Sequence, residues 1–427
     1  KRQLENSGVF QFGPGDPRGA GGGGGGGRGS SLGDNILFFS RQIGLSANGD
    51  PLPILAGTRL TGRVGGDYTL GVMNLQQRED GDYASTNYTA VRLRRDVLAN
   101  SDVGVMVLNK EVTGAGYNRF AGADANFRFF KNLNVNAFAG KTFSPDTKVG
   151  TSGSDAILRG GVAYRGQVIE TRAAYTTVGP RFNDELGFIP RIGVDKFEGW
   201  YGMHLRPKSV SGWLRESYPH FQIVNLTQSG MGPFDSRYMD FHLPFNFQNS
   251  AFIETGVNTN SEVIPTAFEI NSVRHIVVPA GRYDYNEFFV LANTDRGQPL
   301  SFNGRWGNGD FYNGTKSSFT LGGQLRLNAR LTTGINWSRN DLTLTTGAYT
   351  TDLVTARVNY SFSTRTFLNA LLQYNTDTNQ FSSNIRFNII HRPLSDFFVV
   401  YNDRRDSTTG FQLDRAVVAK VTYLLSF

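Results

Sequence analysis

Apolar and polar residues alternate at period two along most of this chain. In "LVTARVNYSF", Val354, Ala356, Val358, Tyr360 and Phe362 alternate with Thr355, Arg357, Asn359 and Ser361. In "FSSNIRFNI", Phe381, Ile385, Phe387 and Ile389 oppose Asn384, Arg386 and Asn388. "FTLGGQLRL" sets Phe319, Leu321, Leu325 and Leu327 against Thr320, Gln324 and Arg326. The first half repeats the pattern. "AGADANFRF" places Ala121, Ala123, Ala125, Phe127 and Phe129 opposite Asp124, Asn126 and Arg128, while "YTAVRLRR" and "IETRAAY" behave alike. Such alternation predicts strands with one apolar and one polar face, and no stretch longer than a turn keeps a helical period.

The predicted strands run to roughly 9–12 residues, the length that crosses a bilayer at a tilt. Strands of a soluble sandwich are usually about five or six residues long. The polar faces carry Arg and Asn throughout, as a wet interior requires. Short connections (64–67, 98–101, 130–132, 164–167, 247–250, 363–366) are expected to alternate with longer ones (77–86, 111–118, 142–154, 178–195, 227–237, 259–281, 339–352). That is the turn-and-loop asymmetry of outer-membrane barrels. Aromatics cluster where strands enter the short turns: Phe127, Phe129, Phe245, Phe247, Phe362 and Phe427. All lie on the apolar parity, as a membrane-interface girdle demands.

The chain closes on "AVVAKVTYLLSF", in which Val417, Ala419, Val421, Tyr423, Leu425 and Phe427 share the apolar parity. A terminal Phe427 fits the signal by which barrels are recognised for insertion. Taking it as periplasmic, about 21 strands count back to Pro53, so one further ascending strand is expected in residues 1–45, from "SGVFQF" or "NILFFSRQIGL". The total is about 22 antiparallel strands, within a range of roughly 20–24, even as single-chain barrels prefer.

Composition agrees. Hydrophobic residues make up 39% of 427, with 51 Gly, 33 Phe and no cysteine, which excludes a disulfide framework and thiolate metal sites. No apolar run reaches the ~20 residues of a membrane helix, leaving a closed barrel as the way to span. The net charge of +7 forms no basic patch or stripe, so nucleic acid is not an expected partner. The chain opens "KRQLENSGVF" without Met or a leader and reads as a processed or partial chain. Residues 1–50 hold the low-complexity tract "GPGDPRGAGGGGGGGRGSS" (13–31), which lacks the strand, helix and Lys of a phosphate loop. This segment is expected to serve as a plug or a first strand, with 51–427 as the barrel; the loop 259–281 is a second plug candidate.

Candidate chemistry is sparse. The five histidines (His204, His220, His242, His275, His391) show no metal-ligand spacing, and no GxSxG elbow occurs. "REDGD" (78–82) and "GNGDFYNG" (307–314) read as solvated turns rather than calcium loops. No cofactor is expected. The pattern worth following is Arg92, Arg94, Arg128, Arg172, Arg326, Arg357 and Arg386, all on the polar parity. As lumen-lining residues they attract anions; paired with acids such as Asp124 and Glu170 they stiffen the wall instead.

Several stretches resemble the family called domain of unknown function 5916: "LENSGVFQFG" (4–13), "LFFSRQIGL" (37–45), "PILAGTRLTGRVGGDYTLGVMNLQ" (53–76), "TNYTAVRLRRDVLANSDVGVMVLNK" (86–110), "RPLSDFFVVYNDRRD" (392–406) and "VAKVTYLLSF". The resemblance spans nearly the whole chain. It implies an outer-envelope barrel following a sandwich domain similar to carbohydrate-binding module family 9. One departure is "KRQLEN", where the family pattern has two aromatics before "LE". The family brings no catalytic residues to carry over. The expectation is therefore a bacterial outer-membrane β-barrel, not an enzyme, that passes small polar or anionic solutes, plugged or open. A barrel anchoring an upstream domain or a periplasmic or surface partner is the alternative, and an outer-membrane hydrolase a third. Its surroundings would be outer-membrane lipid and lipopolysaccharide, reached through the barrel-insertion machinery.

Overall fold

The computed structural model describes residues 9, 10, 12, 35–46, 49, 51–145, 152–392 and 395–423. Among them are 24 antiparallel strands and no α-helix. Twenty-two strands belong to one sheet; β14 (Phe268–Asn271) and β15 (Ile276–Val278) form a separate ribbon. The chain divides into two compact units, Lys1–Gly202 with Gln222–Tyr238, and Met203–Phe221 with Met239–Phe427.

In the first unit the strands run β1 (Ile54–Val64), β2 (Tyr68–Gln77), β3 (Thr86–Val97), β4 (Ser101–Val112) and β5 (Gly116–Phe129). They continue as β6 (Leu133–Phe143), β7 (Ala156–Arg165), β8 (Ile169–Val178) and β9 (Val194–Met203). From β1 to β8 each strand pairs with the next in unbroken register beyond the first residues of β1. The alternation sorts cleanly. On β3, Tyr88, Ala90 and Arg92 are buried and Leu93 is exposed; on β4, Met106 and Leu108 are buried while Val105 and Val107 are half exposed. One register row of the exposed face reads Leu70, Leu93, Val105, Ala123, Ala139, Leu158. Small residues there leave a shallow groove of about 990 Å³, floored by Ala123, Ala125, Ala137 and Ala139.

The second unit contains β10 (Leu214–Ser217), β13 (Phe252–Ile264), β16 (Gly281–Asn293), β17 (Leu300–Phe311) and β18 (Gly314–Arg326). It goes on through β19 (Leu331–Leu344), β20 (Gly347–Ser361), β21 (Thr366–Asn375), β22 (Gln380–Arg392), β23 (Ser395–Asp406) and β24 (Gln412–Val421). Here too the apolar parity is the exposed one, with Leu321 at 50% and Ile335 at 60%. The ribbon β14–β15 folds back so that Ile276 and Val278 bury against Phe311, Leu342 and Leu344. The residues of β11 (His220–Gln228) and β12 (Phe234–Phe247) are divided between the two units.

Three expectations change. Residues 35–46 form no strand: Ile36 makes a single bridge to Phe188 and Ser40–Gln42 a 3-10 turn. Leu37, Phe38 and Phe39 are consecutive apolar residues that no two-faced strand can place, and the chain turns so that Leu37, Phe38 and Ile43 are buried. The sheet reaches 22 strands through the short β10 instead, which "LRES" (214–217) is too brief to signal by alternation. Finally, several long loops shrink. The strands extend into them, leaving turns at 113–115, 229–233 and 345–346, whereas 179–193 stays long. Thr343 pairs with Ala348 and Leu344 with Gly347, so the ladder runs on to the tight turn because backbone groups pair whatever side chains they carry. The Gly-rich tract and Phe427 lie outside the described residues.

Candidate functional site

The inward parity of the first unit carries an uneven row: Gly71, Arg92, Met106, Gly122, Gly140, Ile157 and Val178 follow one another across β2–β8. Three glycines in that row make a trough, and aromatic rings fill it. A Cβ on Gly71 would lie 2.6 Å from Val9 and 3.1 Å from the Phe10 ring. One on Gly122 would lie 2.8 Å from Phe12 and 2.7 Å from Phe120. Phe12 meets Phe120 edge-on at 5.6 Å, and Phe10 tilts on Phe38 at 5.4 Å. The N-terminal residues thus join Leu37, Phe38, Ile43 and the inward side chains of β2–β8 in one buried cluster. This explains why Met73, Tyr88, Met106, Leu108 and Phe120 are apolar on a parity that is otherwise polar.

Segment 179–193 closes over this cluster. Phe182 and Leu186 are buried in it, and Gln42 Nε2 donates to the carbonyls of Glu185 and Gly187 at 3.0 and 2.8 Å. Glu185 accepts from Lys110 on β4 at 2.8 Å. Beside them Asp184 is enclosed. Burial pushes its carboxyl up to about 8, against hydrogen bonds from the Leu186 and Gly187 amides that favour the ionised form.

The seven arginines are spread along both units and do not converge. Arg92 is buried and bonded through both guanidinium nitrogens to the equally buried Asp124, one contact being 2.9 Å, with Phe12 lying 5.2 Å from its guanidinium carbon. Arg172 lies over Trp200 at 5.2 Å. Arg386 covers Phe398 at 4.3 Å and sits 3.9 Å from Asp396. Arg326 donates to the carbonyls of Gly297 and Arg296 in the 294–299 turn. Arg94, Arg128 and Arg357 make no ion pair among the described residues.

A second constellation was not visible in the sequence. In the second unit His220 on β11, His242 on β12 and Glu254 on β13 bring one ligand atom each to within 4.8 Å of one another. His242 Nδ1 is 2.9 Å from a Glu254 carboxylate oxygen and its Nε2 is 2.9 Å from Asn258 Oδ1. Asn258 donates to Glu287 at 3.0 Å, and Glu287 accepts from Arg305 at 2.9 Å. His220 Nδ1 lies 3.2 Å from the Tyr218 carbonyl, and the two imidazoles meet at 4.9 Å. Three-residue signatures on one strand or helix miss this set, because its members are 22 and 12 residues apart on three separate strands. In the sequence His242 and Glu254 flank one short turn, 248–251, but nothing links His220 to them.

No family model and no curated protein matches the chain, so the resemblance to domain of unknown function 5916 rests on the quoted segments alone. Among solved structures, the ferric enterobactin receptor PfeA of Pseudomonas aeruginosa is similar at 8% identity over 82% of this chain and 71% of that one, with a TM-score of 0.49. The ferric preacinetobactin receptor BauA of Acinetobacter baumannii gives 10% identity over 86% and 69%, TM-score 0.40. The ferric-catecholate import receptor Fiu of E. coli K12 gives 7% over 85% and 71%, TM-score 0.41. At such scores these likenesses decide nothing about substrate or mechanism here.

Proposed function

We propose that the sheet closes into a transmembrane barrel of the bacterial outer membrane, and that it is a plugged transport barrel for small polar or anionic solutes. The observation that carries this reading is the exposed apolar face. Strand after strand presents Leu, Val, Ile, Phe and Trp outward while the inward parity holds the charged and buried groups. In water so continuous an apolar surface is unstable; lipid covers it. On the second unit one outward register row carries Trp337, Val354, Tyr374 and Phe381, and a second aromatic group, Tyr360, Phe362 and Phe387, sits at the 362–365 turn. Val354 and Phe362 are eight residues apart, roughly 26 Å along a strand before tilt, comparable with the apolar band of about 25 Å in such barrels.

In this reading residues 9, 10, 12 and 35–46 are the plug of the first unit. Anion preference rests on Arg94, Arg128 and Arg357, since Arg92 and Arg386 face carboxylates. The protein is a carrier of solutes rather than an enzyme, surrounded by outer-membrane lipid and lipopolysaccharide and placed there by the barrel-insertion machinery. The test is conductance in a planar bilayer. Wild type should pass little current, and Gly71→Val, whose side chain occupies the seat of Val9 and Phe10, should open an anion-preferring conductance. Cation preference in the open variant would defeat the solute assignment. The filled interior also favours a second reading, a barrel that anchors an upstream or partner domain without transport. Silence of both proteins selects it.

A further inference from the structure

We infer that His220, His242 and Glu254 form a binding site for a divalent transition-metal cation of the zinc class. The argument starts from proton positions. Glu287 is held as a carboxylate by Arg305, so the Asn258 amide must turn its NH2 toward Glu287 and its oxygen toward His242. That oxygen accepts from Nε2 of His242, which therefore carries the ring proton. Nδ1 is left with its lone pair facing a Glu254 carboxylate oxygen at 2.9 Å. Two electron-rich atoms at that distance require a positive charge between them, either a proton or a metal ion.

The third side chain tips the choice to a metal. His220 has its Nδ1 at the Tyr218 carbonyl, which places the proton there and makes Nε2 the coordinating nitrogen. Both histidines thus carry the outer-shell partner that orients a metal-bound imidazole, a backbone carbonyl in one case and a side-chain amide in the other. Donors on one zinc ion stand roughly 3–4 Å apart, at metal–ligand distances of about 2.0–2.2 Å. One donor atom of each of the three side chains lies within 4.8 Å of the others, so side-chain rotations suffice to gather a ligand set. The buried Asp240 adds negative potential at both imidazoles. Two imidazoles and one carboxylate suit zinc, copper or nickel and not magnesium or calcium, which want oxygen alone. Three protein ligands leave a position open for water or for a donor atom on a solute.

The test is calorimetric titration of Zn2+ into the full chain, purified in detergent and stripped with chelator. One equivalent should bind, while Mg2+ and Ca2+ should not. His220→Ala, His242→Ala and Glu254→Gln should each weaken binding by about 100-fold or more, and Asn258→Ala by roughly 10- to 100-fold. His275→Ala and His391→Ala should leave it unchanged. Glu254→Gln preserves shape, so it decides the matter if a histidine variant fails to fold. Co2+ should show the visible absorption of nitrogen and oxygen ligation in wild type and lose it in Glu254→Gln. Absence of stoichiometric Zn2+ binding, or binding indifferent to all three substitutions, overturns the site. The titration needs no conductance, so its failure and that of the transport reading are separable.

Discussion

Arg92 shows what a single residue decides. Its place on the polar parity of β3 was readable from "VRLRR", as was that of Asp124 in "GADAN". Their meeting was not, because β4 lies between their strands. The contact forms over Gly104, whose missing side chain makes room: a Cβ there would stand 2.5 Å from the guanidinium. Both side chains are almost wholly buried, at 1% and 0% exposure. Removing one partner from such a pair leaves a charge with neither water nor counter-ion, at a cost of about 3–5 kcal/mol. Asp124→Ala should lower the urea midpoint accordingly, and the paired replacement Arg92→Met with Asp124→Leu should recover most of the loss. Equal loss in the single and paired variants would show that the pair is not the stabilising unit.

At the level of elements, strand existence followed from alternation because a strand turns successive side chains to opposite faces, one apolar and one polar. Segment ends did not follow, since hairpins such as 345–346 are set by backbone pairing that tolerates polar side chains. The segment 179–193 is a case where tertiary burial creates chemistry. Asp184, an ordinary loop residue in sequence, is raised to about 8 by enclosure. Its carboxyl binds a proton more tightly when the segment is docked than when it is open. Docking is therefore strongest below the ordinary carboxyl range near 4 and weakens as pH rises to about 8, levelling off above that. Hydrogen exchange at the Leu186 and Gly187 amides should accelerate over that interval beyond its intrinsic rise. Asp184→Asn should remove the excess, and an unchanged excess in that variant would assign the effect elsewhere.

For the whole molecule the decisive matter is what covers the apolar face. Leu321, half exposed on β18, separates the alternatives. In a bilayer an arginine near the midplane costs about 2–4 kcal/mol, whereas a surface substitution in water is usually within about 0.5 kcal/mol. Leu321→Arg should therefore destabilise the protein folded in lipid vesicles by the larger amount, measured by urea titration. A near-neutral effect would place this face in water and remove the membrane reading.

The sequence by itself determined that the fold is all-β, which face of each strand is apolar, and where the tight turns at 65–67, 98–100 and 130–132 lie. These are local properties: alternation and turn chemistry act within a dozen residues. Only the tertiary structure decided that Phe10 and Phe12 seat in a glycine trough, that Arg92 finds Asp124, and that His220, His242 and Glu254 gather. Those contacts depend on strand register and on which chain segment fills the space before the inward face, and neither is encoded in any single stretch. Register multiplies one strand's pattern by its neighbours', and so turns scattered polar residues into sites.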